Sequence, residues 1–172
     1  MNDDRFQNYT LGLDGEEFRI SDSDELRAAS LAMARQCRRS LEIISRQLDP
    51  TVYDSQDFSE ALRQLALESQ YARIRILVLE PATLVSRGHR LLELAGRLSS
   101  FFELRVPGSE HQGLNEACLI ADEIGAIHLP VADRYEGRGS FNDHRLAGEL
   151  GKRFEEFWAK AQPDPNLRRL KI

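Results

Sequence analysis

Three short apolar runs set the frame of this chain: LEIIS (41–45), RIRILVLE (73–80) and FFELRV (101–106). The segments between them repeat apolar residues at helical spacing. Phe58, Leu62, Leu65 and Ala66 mark one face of a helix expected over about 56–69. Leu84, Leu91, Leu92, Ala95 and Leu98 mark another over about 83–98. Strand–helix–strand alternation of this kind implies parallel strands joined by right-handed crossovers.

The flanks add to this core. TLGLDGEEFRI (10–20) reads as a small hairpin with Asp14-Gly15 as its turn pair. Asp22 caps a helix running to about residue 38, with Glu25 in the capping-box position. RQLDPTVYDSQ (46–56) is a loop punctuated by Pro50. Residues 115–130 form a second hairpin, VADRYEG (131–137) a loop, and RGSFN (138–142) a last strand. Asp143 caps a long final helix with Leu146, Leu150, Phe154, Phe157 and Trp158 inward. The tail from Pro163 carries two prolines and reads as extended. The expected fold class is α/β: one mixed, mostly parallel β-sheet with helices on both faces, in a single domain over residues 1–172.

With 41% hydrophobic and 30% charged residues, the chain has the make-up of a soluble globular protein. A net charge of -5 argues against a dedicated nucleic-acid binder, although Arg35, Arg38, Arg39 and Arg46 crowd one segment. Cys37 and Cys118 stand far apart on apolar faces and read as buried free thiols, consistent with a reducing cytoplasm. The N-terminus carries no apolar signal segment, and no run approaches the ~20 apolar residues a membrane span needs.

Known catalytic signatures are missing. Neither GxxxxGK[ST] nor GxGxxG occurs, and there is no HExxH or GxSxG. His89, His111, His128 and His144 share no metal-ligand spacing with one another or with the cysteines, so no metal and no cofactor is expected. His128, in a strand, reads as a packed, hydrogen-bonded residue. His89, His111 and His144 read as solvated or half-buried ones. Asp49 and Asp54 flank Tyr53 in a loop after a strand, where sites often form in α/β sheets; loop and cap chemistry is the plainer reading.

The order of segments resembles one half of a phospholipase D-like protein. In that family a late strand carries HxKxxxxD, followed by a turn, further strands and a helix with an aromatic pair. The matching stretch here is NEACLIADEIGAIHLP, continuing to RGSFNDHRLAGELGKRFEEFW with Phe154 and Trp158 as that pair. The earlier strand, Tyr-containing loop, helix and strand over 41–80 fit as well. The likeness covers about residues 22–161, and it extends to a proteobacterial branch of that superfamily. It implies a phosphohistidine mechanism in which histidine attacks phosphorus, lysine holds phosphate oxygens and aspartate orients a histidine. Asn115 stands at the histidine position and Ala117 at the lysine position; only Asp122 matches. Asn lacks a basic nitrogen and Ala lacks charge, so the resemblance implies a fold without its reaction, and the chain is read as not an enzyme.

A catalytically inactive binding or scaffold module is therefore the leading expectation. Arg46, Asp49, Tyr53, Arg134 and Tyr135 are its candidate ligand residues, because guanidinium groups hold phosphate in bidentate fashion. The plainer reading pairs these arginines with Asp49, Asp133 or Glu136. A homodimeric interaction domain, with FFELRV at an exposed edge, is the alternative. An enzyme using Asp49, Asp54, Asp122 or His128 as acid or base is the third reading.

Overall fold

The computed structural model describes residues 5–168. The N-terminal segment does not form the expected hairpin. Thr10–Asp14 is a turn whose Thr10 N–H donates to Asp14, and only β1 (Phe18–Ile20) is a strand. Phe6 and Tyr9 stack with Phe18 and Phe141 in one aromatic group, and the Gly12 N–H donates to the Phe141 carbonyl. These contacts draw the segment onto the sheet instead of back onto itself.

Helix α1 (Ser23–Gln36) begins as the sequence requires. Asp22 accepts from the Glu25 N–H, and the Glu25 side chain accepts from the Ser21 N–H. Strand β2 (Ser40–Ser45) follows. The loop after it contains one helical turn, α2 (Pro50–Tyr53), because Asp49 caps it and Pro50 is preset for a first helical position. Then come α3 (Gln56–Glu68) and β3 (Arg73–Val78).

The single helix expected over 83–98 is two: α4 (Ala82–Arg87) and α5 (Arg90–Arg97). Gly88 has φ +78°, a left-handed conformation that costs little only for glycine. His89 then starts α5, its Nδ1 accepting from the Leu91 N–H and its Nε2 donating to the Leu48 carbonyl, each at 3.0 Å. The apolar periodicity survives the break, since Leu84, Leu91, Leu92 and Ala95 are all buried.

Strand β4 (Phe102–Arg105) precedes a 3₁₀ turn at Ser109–His111. The second hairpin forms as expected, with β5 (Ala117–Ala121) and β6 (Gly125–Leu129) pairing Cys118 with His128. Strand β7 (Gly137–Ser140) leads to α6 (His144–Lys160), capped by Asp143. The tail is extended only briefly: Gln162 bridges Val106 and α7 (Pro165–Arg168) closes it, burying Leu167. The part of the expected tail over 169–172 lies outside the described residues.

The seven strands form one sheet in the order β1-β7-β6-β5-β2-β3-β4. It is mixed, as expected, but the weighting differs. Only β2–β3 and β3–β4 pair in parallel, whereas the other four ladders are antiparallel. The three late strands β5, β6 and β7, together with β1, outnumber the parallel strands β2, β3 and β4. β4 is the edge strand that FFELRV suggested: the tail pairs only with Val106, just past its end, through Gln162, and a cavity of about 330 Å³ lies between β4 and Pro163.

Helices cover both faces. Leu41, Ile43, Ile74 and Ile76 point to the side of α1 and α3, while Ile44, Leu77 and Cys118 point to α6. On α6 the inner stripe Leu146, Leu150, Phe154 and Trp158 is buried. Phe154 and Trp158 stack with centroids 5.4 Å apart. Beneath them lies Arg75, 8% exposed, its guanidinium 5.0 Å from the Phe154 ring centre and bonded to Glu155 and Glu42.

Candidate functional site

The strand ends decide which residues can meet. β2 and β3 finish at the pole where β5 begins. A cavity of about 220 Å³ opens there, lined by Arg46, Asp49, Tyr53, Glu80, Asp133 and Tyr135 and floored in part by Ala117. Four of the five expected ligand residues thus share one cleft. Arg134 does not: it is exposed and lies outside the lining.

Arg46 is the only cation of this lining. Its Nε lies 2.7 Å from Glu80 and its Nη1 2.9 Å from Asp133. The plainer reading of this arginine, pairing with Asp133, therefore holds. Asp49 is a helix cap, accepting from the Thr51 N–H at 3.0 Å. Tyr53 is core as much as cleft, with its ring edge-on to Phe58 at 5.3 Å and burial pushing its phenol pKa well above the usual range. Asp54 is likewise structural, accepting from the Arg90 N–H and guanidinium.

The three positions matched to the motif separate. Ala117 is buried in the cleft wall, and Asn115 lies exposed at the rim of an adjoining cavity of about 370 Å³ that shares Arg46 and Glu80. Asp122 lies beyond the far end of β5, about 17 Å away at the rise of an extended strand. Its φ is +53°, and its carboxylate accepts the backbone N–H groups of Arg38, Arg39 and Ser40 and the Cys37 thiol. It anchors the α1–β2 connection and takes no part in the cleft. Cys37 itself is buried, and burial with the adjacent Asp122 charge raises its thiol pKa; burial likewise pushes Cys118 up to about 12.

No histidine lines the cavity beside Ala117. His89 is buried with both ring nitrogens bonded, and burial lowers its pKa. His128 shares a face with Cys118 and so points toward α6, away from Ala117. There it bonds Glu116 at 2.8 Å, and Glu116 also pairs with Arg153. The sequence reading of His128 as a packed, bonded histidine is correct, but its partners went unnoticed. Hairpin register was the available signal: pairing Cys118 with His128 sets Glu116 on the same face two residues away. Among the described residues no group of three or more His, Cys, Asp or Glu side chains could hold a metal ion. No helix among them is long and apolar enough to cross a membrane.

Comparison with known proteins supports the fold. Salmonella typhimurium Nuc, a phospholipase D family member, superposes with a TM-score of 0.59 over 87% of this chain and 99% of its own, at 13% identity. NucT from Helicobacter pylori gives 0.56 over 87% and 100%, at 11% identity. TrmBL2, an archaeal chromatin protein with a novel mode of DNA binding, gives 0.64 over 86% of this chain at 14% identity; the chain spans about half of TrmBL2, 53%. At such identities the likeness is one of fold, a phospholipase D-like one. No curated protein matches the sequence. A family model matches residues 22–170, and the chain belongs to that family, described as domain of unknown function DUF7931.

Proposed function

We propose that this protein is a binding module built on a phospholipase D-like fold, without the phosphodiesterase reaction. The observation that carries the reading is the wall of the cleft. Where the motif's strand enters the cavity it presents Ala117 and, at the rim, Asn115. Neither of the two motif positions supplies a nucleophile or a cation, and loss of such a nucleophile typically lowers the rate by several orders of magnitude. The matched aspartate is committed elsewhere, to backbone N–H groups.

The ligand side of the reading rests on Arg46. A planar anion such as a phosphate monoester is the class its guanidinium would take in bidentate fashion. Glu80 and Asp133 already occupy it, and Asp49 adds a third carboxylate. Binding on this arrangement is therefore competitive with internal ion pairs and weak at physiological salt. Two buried free thiols fit a reducing, cytoplasmic setting.

The test is hydrolysis of bis(p-nitrophenyl) phosphate and of nucleic acid by the purified chain. No turnover above the blank is expected. Turnover that copurifies with the protein and falls on Arg46→Ala or Tyr135→Phe would place a working catalytic site in this cleft and overturn the reading.

A further inference from the structure

The pole opposite the cleft groups four arginines; Arg19 in β1, Arg87 at the end of α4 and Arg134 in the loop after β6 are also exposed without an ion pair among the described residues, but they stand apart from one another in the fold. Arg46, Arg75, Arg90, Arg105, Arg138 and Arg153 each pair with a carboxylate. Arg38, Arg39, Arg73 and Arg97 are exposed, and none carries an ion pair among the described residues. Topology brings them to one place. Arg38 and Arg39 precede β2, Arg73 opens β3, and Arg97 ends α5 just before β4. The three parallel strands start side by side, with the Arg73 N–H donating to the Arg39 carbonyl at 3.0 Å and the Ile74 N–H to the Phe101 carbonyl at 2.8 Å. Two residues before Arg73 comes Tyr71, 78% exposed, the most exposed large hydrophobic side chain of the described residues.

We propose that this pole docks single-stranded nucleic acid, with the four guanidinium groups on phosphates and Tyr71 as a stacking platform for a base. Guanidinium groups neutralise phosphates without sequence preference, and an exposed ring beside them accepts any base face. A duplex hides its base faces, so the exposed tyrosine selects the single strand. The Asp122 carboxylate contributes by preorganisation. It holds the N–H groups of Arg38 and Arg39, so the loop that presents both side chains is fixed before any partner arrives. One simpler cause covers part of the pattern: Arg97 stands in the last turn of α5, where the helix C-terminus attracts cations. It does not account for Arg38, Arg39 and Arg73, which lie outside helices, nor for Tyr71.

Opposing charges are present. Glu68 and Glu123 are exposed near the same pole, Arg73 acts on Glu155, and the whole chain carries -5. Binding is therefore confined to low ionic strength. Four phosphate contacts on a single strand correspond to a log–log salt slope of about -3, or about a 50-fold loss between roughly 50 and 200 mM salt.

Fluorescence anisotropy of a labelled oligothymidylate, with the full chain titrated across that salt range, tests the proposal. Binding with that slope is expected. Arg38→Ala with Arg39→Ala should weaken it at least tenfold and flatten the slope. Tyr71→Ala should weaken it with the slope unchanged, and Arg87→Ala, in α4 beyond the far end of β3, should leave it intact. All are surface changes that spare the core. Absence of binding at low salt overturns the proposal, as does binding that survives the double arginine variant. So does tighter binding of a matched duplex, an acidic peptide or phosphatidylserine vesicles lost in the same variants.

Discussion

The Asp122 carboxylate accepts the backbone N–H of Arg39 at 2.7 Å across 83 positions of sequence, and it takes the N–H groups of Arg38 and Ser40 with the same two oxygens. The Asp122 N–H in turn donates to the Ser40 carbonyl at 2.8 Å. One side chain thus satisfies three donors between the end of α1 and the start of β2. Asp122→Ala leaves those donors unpaired at a partly buried corner and should cost about 3 kcal/mol. Asp122→Asn keeps an acceptor and a residue type tolerant of positive φ, so it should lose less. Urea denaturation of both variants checks this, and equal stability of Asp122→Ala and the parent would refute the anchoring role.

Glu42 gives a pH dependence. It is 4% exposed, and burial raises its carboxyl pKa to about 7 despite Arg75, with Glu123 and Glu155 adding to the rise. A folded pKa above the unfolded value of 4.5 means that the folded state holds the proton more tightly. This contribution is complete below about 4.5 and is lost as pH rises through about 7. His89, whose pKa burial lowers, acts in the opposite sense, its contribution being lost as pH falls. Glu155, held below its usual range by its bond to Arg75, also loses its contribution on acidification. The difference between the parent and Glu42→Gln isolates the first effect. The variant should gain on the parent between about pH 5 and 7, as read from urea midpoints. A flat difference across that interval would show that Glu42 titrates normally.

His89 joins two helices and a loop. His89→Ala removes the cap on the Leu91 N–H and the bond to the Leu48 carbonyl, both buried, and should cost about 2–3 kcal/mol. His89→Asn restores a capping acceptor but does not reach Leu48, so it should fall between. Thermal denaturation at neutral pH orders the three proteins, and an Ala variant no less stable than the Asn variant would mean that the cap adds nothing.

The sequence made some of this legible and hid the rest for identifiable reasons. Local signals were read correctly: Asp22 and Asp143 as caps, the 115–130 hairpin, and the α6 stripe ending in Trp158. Gly88-His89 was missed because the apolar spacing of Leu84, Leu91 and Ala95 runs through the break undisturbed. Arg46, Asp49, Tyr53 and Tyr135 converge as expected because they follow strands that end at one pole. Asp122 and Arg134 do not join them. A strand delivers its two ends to opposite poles, so a motif spread along β5 puts Asn115 and Asp122 at different surfaces. Long-range partners such as Asp122 with Arg39, or Glu116 with Arg153, leave no trace in spacing at all.

Arg46 supplies the sharpest test of the cleft. Its pairs with Glu80 and Asp133 are solvent-accessible, with 37% of the arginine side chain exposed, so their stabilising effect is at most about 1 kcal/mol each. Their larger consequence is occupancy: an incoming phosphate must replace carboxylates already in place. Glu80→Gln together with Asp133→Asn keeps the size of both side chains and removes two of the three acidic groups around the guanidinium. The double variant should fold with near-parental stability and acquire a phosphate-dependent rise in melting temperature that the parent lacks or shows only weakly. Adding Arg46→Ala should abolish that rise, because the remaining lining of Asp49, Tyr53 and Tyr135 offers no cation. A thermal-shift titration with phosphate and with phosphorylated metabolites reads all three proteins on one scale. If the double variant responds to none of them, or responds equally after Arg46→Ala, Arg46 is a purely structural ion-pair residue and the cleft binds no phosphate through it.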